Sequence, residues 1–306
     1  MFQWQTPGWV NAHAALAGFP DSLTGETIRT IRNQLRLVST NRPDVSIVVP
    51  AFNEEATILP MLSSLSRLST HYKTEIIVAN NNSSDRTQEL LDACGVRSVF
   101  VSDQGISYAR QAGLELASGR FVLNADADSI YPPTWLDALV KPLHNTAISC
   151  TYGMYSFIPG KASNRFTLSL YEFSSETFKR LKRRNREVVD VMGFNFGFRR
   201  ADGLAVGGFR HDLERWKTGR SEDGWMAYCL TQKGRLYREP SLNARVWTSD
   251  RRLQEAGSLS KAYSLRARRE LNRLHLYLTP KGMVGPAAPA PAIQPDPVEQ
   301  LEHSGK

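Results

Sequence analysis

The chain has 306 residues and a formal net charge of +8, with 41% hydrophobic residues, a low share for a packed enzyme whose deficit sits mainly at the two ends. That length holds one large α/β domain or two small ones, at ~100–200 residues per domain. No apolar run reaches the ~20 residues that a membrane-spanning helix needs, Met1-Phe2-Gln3-Trp4 lacks the charged-then-apolar pattern of a secretory signal, and Cys94, Cys150 and Cys229 follow no paired or metal-binding spacing, as expected of reduced core thiols in a cytoplasmic protein.

Residues 1–43 alternate short apolar patches with Gly and Pro and offer one helix at 27–38, so they read as an N-terminal extension. From Val45 the pattern becomes regular. Residues 45–50 form an apolar run stopped by Pro50, which suits a buried parallel strand. A helix follows with Ile58, Met61, Leu62 and Leu65 on one face; Pro60 is tolerable there only in the first turn, where its missing N–H has no partner to lose. Residues 75–79 are the second strand. Asp85 and Gln88 fit a capping box that opens a helix closing near Gly95. A third strand at 98–101 and a third helix at 106–116 lead to a fourth strand at 121–123, which runs into Asn124-Ala125-Asp126-Ala127-Asp128. After Pro132 the signal is less regular: a helix near 135–140, a strand near 147–152, and an amphipathic stretch carrying Phe166, Leu170 and Phe173.

Two basic clusters come next, one from Lys179 to Arg186 and one through Arg251, Arg252, Lys261, Arg266, Arg268, Arg269 and Arg273. They suit a solvated helix face, an anionic membrane surface or a polyanionic substrate. No nucleic-acid module surrounds them, which argues against a nucleic-acid partner. Tyr263, Leu265, Leu271, Leu274 and Leu278 interleave with the second cluster over residues 253–280, as in a basic amphipathic helix lying on an anionic surface at the inner face of the plasma membrane, or packed on the main domain. Residues 281–306 are Pro/Ala-rich and then polar, and are expected to be disordered.

Strands alternating with helices predict a mostly parallel sheet with both faces covered. Ligands of such sheets bind beyond the carboxyl ends of the strands. Polar residues collect just there: Asn53, Asn80 to Asp85, Asp126 and Asp128. In extended chain, Asp126 and Asp128 would project to one side and converge on one cation, and oxygen ligands suit Mg²⁺ or Mn²⁺. Ser221-Glu222-Asp223-Gly224-Trp225 opens a helix. Its carboxylates serve as simple caps or, facing a pocket, Asp223 accepts a proton from an attacking hydroxyl. Gly105 to Arg110 starts another helix, whose N-terminus attracts phosphate; Arg110 would add charge-assisted hydrogen bonds, or is an ordinary surface arginine.

Taken in order, Val45-Ser46-Ile47-Val48-Val49-Pro50-Ala51-Phe52-Asn53-Glu54-Glu55, the turn from Asn80 to Asp85, Asp126-Ala127-Asp128, Gly207-Gly208-Phe209 and Ser221-Glu222-Asp223 resemble the inverting family 2 glycosyltransferases. The resemblance covers about residues 45–252 and places a catalytic domain at 44–252. It implies the A-type fold: a single Rossmann-like, mostly parallel sheet flanked by helices, here with a helical C-terminal extension. It also implies roles. Pro50, Ala51, Phe52 and Glu54 would line the nucleotide-base pocket; Asn80 and Asp85 join them on the donor side, as does Arg110 on the helix-start reading above. Asp126 would touch the ribose or sugar, and Asp128 would ligate the divalent cation. Arg251 or Arg252 would close over the diphosphate, Asp223 would be the base, and Glu222 and Trp225 would face the acceptor. Two positions depart from the family pattern: Asn80 stands where Asp is usual, and no histidine follows Asp223 as an extra metal ligand.

The activity so implied is transfer of a sugar from a nucleotide-diphosphate donor to a hydroxyl of a glycan, glycolipid or small molecule. A dinucleotide-binding oxidoreductase is argued against by Pro-Ala-Phe-Asn-Glu-Glu where Gly-x-Gly-x-x-Gly would follow the first strand. A nucleotidyltransferase would want a glycine- and lysine/arginine-rich phosphate loop there. A non-catalytic protein retaining the fold is suggested by Asn80, against which stand intact Asp128 and Asp223.

Overall fold

The computed structural model describes residues 3–18, 25–160, 163–211, 221–255 and 259–272. The apolar run Val45–Ala51 becomes strand β1, buried along nearly its whole length, and Thr74–Asn80 becomes β2, buried throughout. They pair in parallel from Val45↔Thr74 to Ala51↔Asn80. Arg97–Phe100 (β3) adds outside β2, while Phe121–Asn124 (β4) pairs on the other side of β1. Helices Ile58–Leu65 (α3), Thr87–Cys94 (α4) and Ile106–Leu116 (α5) make the crossovers. The chain thus steps from β1 to β2 and β3 in one direction, then returns to lay β4 on the opposite side. This switch opens a crevice between the carboxyl ends of β1 and β4, where such sheets bind ligands.

Beyond β4 the sheet changes direction. Phe196–Arg199 (β8) runs antiparallel to β4, Ile148–Tyr152 (β6) antiparallel to β8, and Arg235–Arg238 (β9) parallel to β6, giving the order β3-β2-β1-β4-β8-β6-β9. The antiparallel insertion sets Phe196 opposite Asn124, so the residues before β8 arrive at the crevice from the far side of the chain. A second sheet, absent from the single-sheet expectation, is formed by Ser129–Ile130 (β5), Val246–Ser249 (β10) and Tyr155–Ile158 (β7). It brings the chain after Ser249 back beside Asp128.

The core divides over the two faces of the large sheet with the period of two that strands impose. Val45, Ile47 and Val49 join one cluster, and Val48 joins the other. The first cluster includes Ile31 and Leu35 of helix Gly25–Val38 (α2), so part of the N-terminal extension packs directly into the main core. The second includes Leu114 of α5 and Met226, Ala227 and Leu230 of helix Glu222–Leu230 (α9). All three cysteines are buried free thiols, and burial pushes Cys94 up to about 11.

Helix starts correct the sequence reading at one point. The Asp85/Gln88 capping box does not form. Asp85 accepts from the Thr87 N–H, while the Gln88 side chain turns to Asn80, Asp92 and Ser98. Pro60 does lie in the first turn of α3. Among the described residues no helix is long and apolar enough to cross a membrane. The C-terminal segment begins with helix Leu259–Asn272, whereas residues 273–306, including Arg273, Leu274, Leu278 and the expected disordered tail, lie outside the described residues.

One buried knot fixes the start of β1 against the turn before β4. The Glu75 carboxylate accepts from Ser46 Oγ (2.6 Å), the Ser118 N–H (2.8 Å) and Ser118 Oγ (2.7 Å), and pairs with Arg97 (2.6 Å). Burial pushes this carboxyl up, but those hydrogen bonds and Arg97 outweigh it and hold Glu75 below the usual carboxylate range. Gly119 donates its N–H to Ser46 Oγ, and a Cβ there would stand 2.7 Å from the Ser46 backbone nitrogen. Gly119→Ala is therefore expected to lower stability by ~1–3 kcal/mol, the usual cost of overpacking. Urea unfolding should show a lower midpoint at unchanged slope.

Candidate active site

The crevice between β1 and β4 is lined on one side by the residues after β4. That strand ends at Asn124, and Asp126 and Asp128 lie in the turn beyond it. The expected convergence of two carboxylates from extended chain does not occur, because the chain has already left the strand. Asp126 turns inward. Its Oδ1 accepts from Nη2 of Arg110 at 2.7 Å, and its backbone N–H donates to the Tyr131 hydroxyl at 2.8 Å. Asp128 turns the other way, with Oδ1 near Ser129 Oγ (3.3 Å) and Thr248 Oγ1 (3.4 Å) and Oδ2 3.9 Å from Arg251.

Arg110 corrects the sequence reading most sharply. Its side chain is 0% exposed and does not lie on the donor surface. The guanidinium reaches Asp126 at 2.7 Å, Glu222 at 3.5 Å and Asn124 Oδ1 at 3.4 Å. Burial works against its charge, but the carboxylates of Asp126, Glu222 and Asp223 outweigh burial and hold the proton. Glu222 shows the other side of this crowding: burial first, then the Asp223 charge, push its carboxyl up against the pull of Arg110.

Asp223 sits in the first turn of α9, which Ser221 caps by accepting from the Gly224 N–H. Its Oδ2 accepts from the Gly193 N–H at 2.7 Å and its Oδ1 from the Gly224 N–H at 2.6 Å. A carboxylate offers about four lone-pair positions, so these two bonds orient the group and leave it able to accept a proton. Gly193 is a site residue that the sequence reading missed. A Cβ there would meet Arg110 Nη2 at 2.4 Å, so the close approach of backbone to guanidinium requires glycine. Tyr131 was missed as well. Its hydroxyl spans the backbones of Asp126 and Phe194 and ties the donor turn to the segment before β8.

The outer lip is formed by Arg251, at the start of helix Arg251–Glu255, which donates to Glu54 Oε1 at 2.9 Å. Glu54 therefore faces the basic lip rather than a base pocket. The side chain of Arg252 lies outside the described residues. Among the described residues no three His, Cys, Asp or Glu side chains gather as a metal site. Asp128 does fit the other mode of binding Mg²⁺ or Mn²⁺, in which one or two carboxylates share the cation with substrate phosphates. Its carboxylate lies beside the hydroxyls of Ser129 and Thr248 and 3.9 Å from Arg251.

On the nucleotide side, Pro50 is partly buried, Ala51 is buried, and Phe52 presents a ring that is 45% exposed. Asn80 is 1% exposed and both ends of its amide are used inside the turn: Nδ2 donates to Gln88 and Oδ1 accepts from the Ser83 N–H. It supports the loop and does not face a base. Asp85 does the same, its two oxygens accepting from Thr87 and from the Glu55 N–H. Trp225, expected to face the acceptor, is half-buried beside Tyr228, with the Arg210 guanidinium 5.3 Å over its ring. Removing one member of a buried charge cluster strands the others, at ~3–5 kcal/mol. Arg110→Met is thus expected to destabilise the fold by roughly that amount, read as a lower midpoint in chemical denaturation.

The model of glycosyl transferase family 2 matches residues 46–202. An Escherichia coli UDP-Glc:alpha-D-GlcNAc-diphosphoundecaprenol beta-1,3-glucosyltransferase is 32% identical over 118 residues, 37% of this chain and 46% of that protein. The validoxylamine A glucosyltransferase of Streptomyces hygroscopicus subsp. limoneus is 25% identical over 224 residues, 63% of this chain and 49% of that one. The chain thus spans about half the length of these relatives. The structure of a Pyrobaculum calidifontis mannosyltransferase in complex with GDP-Man and Mn²⁺ superposes with a TM-score of 0.53 at 19% identity, covering 87% of this chain and 82% of that one, and shows the shared fold. With the family model matching half of its length and the fold in agreement, the chain belongs to glycosyl transferase family 2.

Proposed function

We propose that the protein transfers a sugar from a nucleotide-diphosphate donor to a hydroxyl of a glycan or glycolipid acceptor, with inversion at the anomeric carbon. The observation that carries this reading is the meeting of Asp126, from the turn after β4, and Glu222, from the start of α9, on one buried Arg110, with Asp128 two residues from the first and Asp223 next to the second. Names among the relatives fit: the Escherichia coli protein is named for a UDP-Glc donor and a diphosphoundecaprenol-linked acceptor, and the archaeal neighbour holds GDP-Man with Mn²⁺.

In the proposed reaction Phe52 stacks on the base and Asp126 holds the donor's ribose or sugar. Asp128, with diphosphate oxygens, would hold a divalent cation, Mn²⁺ or Mg²⁺. When bound, that cation offsets the charge developing on the leaving diphosphate. Arg251 leaves Glu54 for the diphosphate and adds positive charge beside the leaving group. Asp223 takes the proton of the acceptor hydroxyl as the new oxygen–carbon bond forms and the carbon–oxygen bond to the diphosphate breaks. Gly193 and Gly224 keep the carboxylate aimed during the transfer. Glu222, its carboxyl pushed up by burial, lies beneath the base, and Trp225 borders the acceptor. A single displacement requires no carboxylate nucleophile, which is why inversion follows.

Two variants test the assignment. Asp128→Ala should abolish the Mn²⁺-dependent gain in donor affinity while thermal unfolding stays near the parent. Unchanged Mn²⁺-linked affinity by calorimetry would remove Asp128 from the metal site. Asp223→Asn keeps the shape and gives up one of the two backbone N–H contacts, while Ser221 still caps the helix, so the helix should survive. Turnover is expected to drop ~10²-fold or more, the usual share of a general base. Donor affinity without acceptor should stay within a few-fold, because the proton moves only in the transition state. Near-normal nucleoside-diphosphate release by this variant would shift the role to Glu222.

A further inference from the structure

Helix Arg165–Arg186, α7 in chain order, carries charge on its inward side beside the buried Leu168 and Tyr171. Arg165 and Glu172, each 8% exposed, form a two-pronged ion pair at 2.5 and 2.7 Å, and Arg183 joins Glu176 at 2.6 Å and Asp190 at 2.5 Å. Its outward side is apolar. Phe166 is 65% exposed, Leu170 56% and Phe173 50%. Their spacing of four and then three residues puts them on one stripe. Ordinary surface helices do the reverse, burying the apolar stripe and giving charge to water. Water next to three adjacent large side chains is unfavourable, so this face is made to be covered.

The surroundings say by what. Trp4, 53% exposed, stands with its ring centroid 5.8 Å from that of Phe166. It is held there because the Gln3 carbonyl accepts from both Arg165 Nε and Ser169 Oγ at 2.8 Å. Tryptophan with one apolar side and one polar N–H is the residue that settles at bilayer surfaces. The stripe runs on through Thr177 to exposed Arg180. Beside it packs helix Leu259–Asn272, with Tyr263 6.3 Å from Tyr171 between ring centroids and with exposed Lys261 and Arg268. Among the described exposed side chains of these two helices none is a carboxylate, and the charges are cations. An apolar stripe with an aromatic edge and cationic flanks complements a lipid surface bearing anionic headgroups.

From this we infer that the outer face of α7, with Trp4, is a docking surface for an anionic bilayer, with the basic C-terminal helix lying alongside. It adds to the sequence expectation a second apolar contact, on α7, beside the exposed Tyr263 and Leu271 of the C-terminal helix. It stands independently of the donor and of the reaction proposed above.

The test is co-sedimentation of the full chain with phosphatidylcholine vesicles, with and without phosphatidylglycerol. The parent should bind the anionic vesicles about tenfold better than the neutral ones, as expected when cations add to apolar insertion. Phe166→Gln/Leu170→Gln/Phe173→Gln should lose about tenfold in binding, since partitioning scales with buried apolar area. Its thermal midpoint should be equal or higher, because the stripe leaves the core untouched. Arg180→Gln/Arg268→Gln should remove most of the preference for phosphatidylglycerol and leave weak binding to both vesicles. Equal binding of the parent to the two vesicles, or undiminished binding by the triple variant, overturns the inference. So does a parent dimer in sedimentation velocity that the triple variant dissolves, since a second copy would then cover the face.

Discussion

A guanidinium taken wholly out of water carries a penalty of several kcal/mol unless carboxylates surround it. Arg110 meets that requirement by drawing Asp126 from the turn after β4 and Glu222 from the start of α9 onto itself. The two acidic motifs lie far apart in the chain and on different elements, and the rest of the site follows from their shared cation. Asp126 cannot swing toward Asp128, so Asp128 keeps its own place beside Thr248 and Arg251. Glu222 is held below, so the next residue, Asp223, faces the Gly193 N–H at the crevice. The cluster has more carboxylates than cations.

Topology makes this meeting achievable. A fully parallel sheet would put only strand ends from one half of the chain at the crevice. The antiparallel β8 carries Gly193, Phe194 and Asn195 to it from the opposite direction, and the small sheet returns β10 and Arg251 to its rim. Tyr131 then bonds across the seam, and Asn195 donates from its amide to the carbonyls of Met154 and Ala244. The Asp126 turn, the segment before β8 and the chain before β10 are thereby tied to one another by polar contacts, and Gly193 is a point of close approach to Arg110.

The first half of the fold was readable because its elements are long and strongly patterned. β1, β2 and α5 follow from continuous apolar runs and from helical spacing, and the order of acidic residues at strand ends located the crevice. The second half resisted for a physical reason. β8, β9 and β10 are four residues each, too short for a period to show, and their pairing depends on partners distant in sequence. The same reason hid the fate of individual side chains. Arg110 reads as a surface residue until Asp126 and Glu222 are seen around it. Asn80 reads as a base contact until Gln88 and Ser83 are found using its amide. The glycine-flanked run Met192-Gly193-Phe194-Asn195-Phe196-Gly197 was the available signal for Gly193, since glycine beside large aromatics marks a close approach.

The claim at the centre of this account is that Asp223 and the donor carboxylates act from two sides of one sugar in a single displacement. The configuration of the product tests it most directly. With an α-linked nucleotide-sugar donor and an acceptor that the protein uses, the anomeric proton of the product read by NMR should report a β linkage. An α linkage would require a nucleophile or a face-retaining path that this arrangement of residues does not provide, and would contradict the account.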